Sequence, residues 1–169
     1  LFDIMLEEYE RPLSEELIKN YHRILKNGTS DSRLDWFRVG DYKALPNEVG
    51  GKETIAPKKV SSEIKKLLSW YSSKEKVEFD DILEFHYRFE SIHPFQDGNG
   101  RVGRVLMFKE CLKHNIIPFI IEDEYKGLYY RGLYEYLNEK GYLRDTCLAM
   151  QDKYELLIKR FLGDFLDGN

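Results

Sequence analysis

The chain has 169 residues, 33% of them charged and 42% hydrophobic, a balance that fits one soluble globular domain with room for a core. A formal net charge of −4 and a pI near 5.7 exclude a general nucleic-acid footprint, which needs a basic surface, and no apolar run is long enough to span a membrane. Only two cysteines, Cys111 and Cys147, are present and their spacing is unpaired, which points to a reducing, cytoplasmic setting.

In chain order the pattern is mostly helical. The chain opens at Leu1 with neither an initiator Met nor a signal peptide, the expectation for a fragment or an excised domain. Ser14 is placed to cap a helix through EELIKNYHRILKN, where Leu17, Tyr21 and Leu25 recur every four residues and Gly28 is the stop. GDYKALPNEVGGKETIAP, Gly40 to Pro57, breaks the helical pattern, and its Gly50-Gly51 pair between short polar–apolar stretches signals a hairpin. VSSEIKKLLSWYSS begins soon after Pro57 and puts Val60, Ile64, Leu67, Leu68 and Tyr71 on one stripe. FDDILEFHYRFESI places Ile82, His86, Phe89 and His93 near one face and ends where Pro94 forbids continuation. RVGRVLMFKECLKH restarts a helix after the glycines, and EYKGLYYRGLYEYLNEKG and LRDTCLAMQDKYELLIKRFLGDFL read as two more. With no repeat, low-complexity tract or linker, the expected class is all-α: a helical bundle with one small β-hairpin, in a single domain over residues 1–169.

The densest chemistry lies in SIHPFQDGNGRVGR, Ser91 to Arg104. Gly98, Asn99 and Gly100 tolerate positive φ, so this run can turn successive backbone N–H groups into an anion-binding nest. A helix starting at about Arg101 adds its free N–H groups and the positive end of its dipole. Arg101 and Arg104, one turn apart, can flank the same anion. Asp97 beside a polyphosphate would repel it unless Mg²⁺ bridges the two. His93, four residues earlier, can take a proton from an attacking hydroxyl. Base, metal ligand, nest and charge clamp together describe nucleotide or phosphoryl-group transfer.

The segment resembles the signature of the Fic family, H-x-F-x-[D/E]-G-N-G-R-x-x-R, at every specified position: His93, Phe95, Asp97, Gly98, Asn99, Gly100, Arg101 and Arg104. At residue frequencies of about 5%, a chance match in this chain is rarer than roughly one in 10⁷. The resemblance extends through LIKNYHRIL, GDYK, the hairpin interval, LLSWY, FHYRFESIHPF and the YY of the next helix.

It implies a Fic-fold helical bundle with a hairpin flap, with its core over about residues 35–140 and helices flanking it on both sides. It also implies transfer of AMP from ATP to a Tyr, Ser or Thr hydroxyl of a protein target, and of the chain itself, with release of pyrophosphate. By position, His93 is then the base and Asp97 the Mg²⁺ ligand. Gly98, Asn99 and Gly100 line the hole for the α- and β-phosphates. Arg101 and Arg104 hold phosphates, Arg104 nearest the γ-phosphate, and Phe95 anchors the loop. The hairpin, with Val49, Gly50, Gly51, Lys52, Glu53, Thr54 and Ile55, resembles the flap that aligns a target segment by strand-like pairing. Tyr129 or Tyr130 walls the adenine.

The restraining pattern of many members, [S/T]-x-x-x-E-[G/N], does not occur in these residues. The restraint is then expected upstream of Leu1, on an antitoxin-like partner, or nowhere. Three other readings remain open. The same fold could remove AMP or move another phosphate-linked group; His86, Glu90 and His93, at i, i+4 and i+7, could hold Zn²⁺; or the chain could be a non-catalytic interaction module.

Overall fold

Ser14 is extended (φ −149°, ψ 160°), and its hydroxyl accepts the Leu17 N–H at 3.1 Å, so helix α2 (Glu15–Lys26) starts where its cap residue predicts. Gly28, with φ 76°, marks its end. The computed structural model describes residues 1–166, with side chains as far as residue 163. Among these residues are a short helix α1 (Phe2–Glu7), then α2, a hairpin of β1 (Glu48–Val49) and β2 (Lys52–Glu53), and helices α3 (Pro57–Ser72), α4 (Phe79–Ile92), α5 (Asn99–Lys113), α6 (Lys126–Glu135) and α7 (Gly141–Leu166). The class is the all-α one expected, with a two-stranded hairpin as the sole sheet among the described residues. No helix there is long and apolar enough to cross a membrane.

Two compact units divide the chain, Leu1–Glu110 and the residues from Cys111 onward. In the first, α3 packs on α4. Val60, Ile64, Leu67 and Tyr71 form the buried stripe of α3, and Ile82, Leu83, Phe85 and Phe89 that of α4. The Tyr71 and Phe85 rings lie 5.0 Å apart. Leu17, Ile18 and Tyr21 of α2 and Met5 of α1 complete this core. In the second unit α6 packs on α7. Gly132 makes their close approach possible, since a Cβ there would come within 2.6 Å of Leu143 Cα. Cys111 and Cys147 are buried thiols without a disulfide.

Three local departures from the sequence pattern matter. Helix α1 carries too short a stripe to be read from periodicity. The hairpin occupies only residues 48–53 of the expected interval, paired Glu48 with Glu53 and Val49 with Lys52. Its turn is Gly50-Gly51 at φ 58° and 76°, the two positive φ values that a tight two-residue hairpin demands. Helix α5 begins at Asn99 rather than Arg101. Asn99 and Gly100 are therefore helical, and within Asp97–Arg101 only Gly98, at φ 86°, is left-handed.

Because Ser14 sets the start of the helix that underlies the site, Ser14→Ala is expected to cost about 1 kcal/mol. That corresponds to roughly 2–4 °C in a thermal melt at this chain length. A melt indistinguishable from the parent protein would mean that the cap does not hold α2.

Candidate functional site

Helix α4 ends on His93 in the left-handed region (φ 50°, ψ 62°), its N–H bonded to Phe89 O at 3.0 Å. A non-glycine residue there is strained by about 1–2 kcal/mol, and Pro94 follows. The surroundings hold the strain in place. Pro94 O accepts the Lys43 N–H at 2.8 Å. Phe95 is fully buried, and its ring stacks on His22 at 3.9 Å with the planes 1° apart.

Asn99 then closes the loop. Its Oδ1 accepts the Phe95 N–H at 2.7 Å and its Nδ2 donates to Phe95 O at 2.8 Å. The side chain is buried and committed to this double bond, so Asn99 has only its backbone N–H to offer an anion. Gly98 O accepts the Val102 N–H at 3.0 Å, the first bond of α5. The N–H groups of residues 99–101 therefore have no partner within the helix and point out of its N-terminus. Gly98 also needs to be small, because a Cβ would lie 3.1 Å from Leu25 Cδ2. Gly100 is bare for a different reason: the Arg104 guanidinium lies over it, with Nη1 3.1 Å from the place a Cβ would take. Arg104 is thereby folded back toward the open end of α5.

Helix α2 supports this loop from beneath. His22 Nδ1 accepts the Gly40 N–H at 3.0 Å, which leaves Nε2 as the protonated nitrogen, facing Asp97 O at 3.1 Å. Lys26 Nζ donates to Asp97 Oδ2 at 2.7 Å, and Arg101 Nη2 reaches the same oxygen at 2.9 Å. Burial by itself would raise the Asp97 pKa. Hydrogen bonds from Lys26 and the Gly98 backbone, with the charges of Lys26 and Arg101, outweigh it and hold the carboxyl below its ordinary range. Asp97 is thus an ionised, half-exposed carboxylate.

The imidazoles are neutral for the opposite reason. Burial pushes His93 down to about 4, aided by the Lys43 charge and opposed by the Glu90 backbone. Burial likewise lowers His22 to about 4 and His86 to about 3. Glu90 goes the other way, up to about 7 by burial, with Arg104 pulling it back. Two polar atoms near the end of α4, His93 Nδ1 and Glu90 Oε1, are buried without a hydrogen-bond partner. Gly103 is bare where Glu90 Oε1 and the rings of His86 and Phe89 press on α5.

The hairpin is tied to the same loop at its base. Buried Lys43 donates through Nζ to Asn47 Oδ1 (2.7 Å), Thr54 Oγ1 (2.6 Å) and Ile92 O (3.4 Å), and burial lowers it to about 8. Asn47 Nδ2 donates to Phe95 O at 2.9 Å. Thr54 belongs to this anchor, whereas Val49, Gly50, Gly51, Lys52 and Glu53 are exposed and Ile55 is half-buried. Tyr129 and Tyr130 lie on α6 in the second unit, Tyr129 buried and Tyr130 exposed, their rings 5.3 Å apart. Among the described residues no group of three or more His, Cys, Asp or Glu could cage a metal, which removes His86, Glu90 and His93 as a zinc site.

Sequence reading passed over His22, Lys26 and Lys43. A usable signal existed for two of them: Ile18, His22 and Lys26 continue one stripe of α2 at four-residue spacing, polar residues in apolar phase.

The charge states have a measurable consequence. Each of the three imidazoles takes up a proton near 6.5 when unfolded but only near 3–4 when folded. Their stabilisation is therefore full above about pH 6.5 and is lost as pH falls through about 4. Glu90 partly offsets this, since its folded pKa is raised and its contribution is lost as pH rises through about 7. Denaturant midpoints should drop between pH 6.5 and 4.5, and Glu90→Gln should steepen the drop. A flat profile would contradict neutral buried rings.

A model of the Fic/DOC family matches residues 12–111. The chain is 24% identical over 163 residues to "Protein adenylyltransferase fic-1" of Caenorhabditis elegans, covering 95% of this chain and 30% of that protein. It is 28% identical over 119 residues to "Protein adenylyltransferase Fic" of Aedes aegypti, covering 69% of this chain and 23% of that one. It thus spans less than a third of either relative. Among solved structures, a Fic domain containing signaling protein from Bacteroides thetaiotaomicron VPI-5482 superposes with a TM-score of 0.78 at 23% identity, over 96% of this chain and 69% of that one.

Proposed function

The chain belongs to the Fic/DOC family, and on that premise we propose that it is a nucleotidyltransferase that moves AMP from ATP to a hydroxyl side chain of a protein, itself included. The observation that carries the reading is the pairing of a neutral His93 with the open N-terminus of α5, which begins six residues later at Asn99 and puts a proton acceptor near an anion site. The names of the relatives from C. elegans and A. aegypti support the same reaction.

In this reading the triphosphate lies on the N–H groups of residues 99–101, with Arg101 and Arg104 on its outer oxygens. Arg101 exchanges Asp97 Oδ2 for a phosphate oxygen. Arg104, resting over Gly100, holds the far end so that the leaving pyrophosphate and the attacking hydroxyl are in line at the α-phosphorus. His93 Nδ1 is buried, so Nε2 meets the hydroxyl and takes its proton as the new P–O bond forms and the bond to the β-phosphate oxygen breaks. The exposed hairpin pairs with the target segment.

The residues fit one Mg²⁺ shared with the nucleotide. Asp97 is ionised and half-exposed, and a single carboxylate plus phosphate oxygens is the usual holding of this ion. When bound, it offsets phosphate charge. No restraining [S/T]-x-x-x-E-[G/N] motif occurs within these residues, so labelling is expected without an activator.

Incubation with ATP labelled on the α-phosphate should mark protein, and ATP labelled on the γ-phosphate should not. The reverse pattern would make the chain a phosphotransferase. His93→Ala should lower labelling about 10²–10⁴-fold while ATP affinity holds. Because burial holds the ring neutral, activity should persist at about pH 5.5 and fail only as pH drops through about 4. An acid limb at the ordinary imidazole pKa would remove His93 as the buried base.

A further inference from the structure

Two cations share Asp97 Oδ2, and they differ in kind. Arg101 sits half-exposed on the first turn of α5, where an arriving anion can draw its guanidinium away. Lys26 is 3% exposed at the end of α2, and its Nζ lies 5.1 Å from the centre of the Phe37 ring. From there it bridges Asp97 Oδ2 at 2.7 Å and Asp31 Oδ2 at 2.5 Å. Asp31 comes from a short 3₁₀ turn, Asp31–Arg33, just beyond α2. The bridge therefore joins two elements next to each other in sequence to a loop 71 residues away.

We propose that Asp31, Lys26 and Asp97 form a fixed charge relay in which Lys26 is the positioning residue for the carboxylate that meets the nucleotide's divalent cation. Lys26 pins Oδ2 inward and turns the rest of the carboxylate toward the phosphates. The proposal rests on the role given to Asp97 above. Two effects of Lys26 oppose each other. Its charge repels a second cation, but Asp31 at 2.5 Å cancels most of that charge. Its hydrogen bond helps fix the rotamer of a half-exposed side chain that Arg101 and the Gly98 N–H would otherwise hold alone. Orientation wins. Outer hydrogen bonds of this kind are generally worth about 10–100-fold in metal affinity. When Arg101 moves to phosphate, Lys26 is the anchor that stays.

The test uses Mn²⁺ as probe. The chain is titrated with Mn²⁺ in saturating ADP, free Mn²⁺ being read by electron paramagnetic resonance, and metal-free ADP affinity is measured separately by calorimetry in EDTA. Lys26→Met combined with Asp31→Asn removes the relay at constant net charge. Mn²⁺ affinity is expected to fall about 10–100-fold while metal-free ADP binds as before. Should that variant fail to fold, Lys26→Gln with Asp31→Asn, which keeps a weaker donor toward Asp97, carries the same expectation of lower Mn²⁺ affinity. Unchanged or tighter Mn²⁺ binding in a folded double variant, with binding still lost in Asp97→Ala, overturns the relay and leaves the role of Asp97 intact. No Mn²⁺ binding by the parent chain, or binding indifferent to Asp97→Ala, overturns the role of Asp97 and the relay with it.

Discussion

His22 gathers two distant segments of chain, the Gly40 turn and the loop from Phe95 to Asp97, onto one ring. One nitrogen accepts from Gly40, the other faces the Asp97 carbonyl, and the ring face stacks on Phe95. The two nitrogens need opposite polarity, so the ring must be neutral and in one tautomer. A second proton would set N–H against N–H at Gly40. The loop before α5, the direction of the Asp97 side chain and the approach of the Gly40 turn all depend on this imidazole. Its burial is what keeps it in the required state.

Polar contacts join the buried Phe95 ring in holding the loop before α5. Asn99 replaces a missing piece of backbone ladder by bonding both polar groups of Phe95. Lys26 and Lys43 are buried with their donors satisfied. In a low-dielectric setting such bonds are directional and costly to break, so they fix geometry more tightly than a greasy contact of equal area. At the end of α4 the pattern reverses, because His93 Nδ1 and Glu90 Oε1 are buried without partners.

The hairpin follows the same division. Its tip and strand residues are exposed, with nothing within 4 Å of a Cβ at Gly50 or Gly51. Its base is bound through Lys43 and Asn47 to Ile92 and Phe95, on either side of His93. An added strand would thus be placed relative to His93 by a short run of buried hydrogen bonds.

The longer helices, the hairpin turn and the helix stop before Pro94 were legible in sequence, because caps, proline stops, Gly-Gly turns and helix stripes act over four residues or fewer. Ser14 caps Leu17, and Pro94 ends α4, wherever the rest of the chain goes. The exact start of α5 was not legible. Asn99 reaches back to a Phe95 backbone that only the folded loop brings into range, and this moves the helix two residues earlier. Nor could spacing show that His22 and Lys26 serve Asp97, since those pairs lie 75 and 71 residues apart. The charge of each buried ring, and of Glu90, was likewise undecided, because composition sets which groups can titrate but only tertiary burial sets how much water each one keeps.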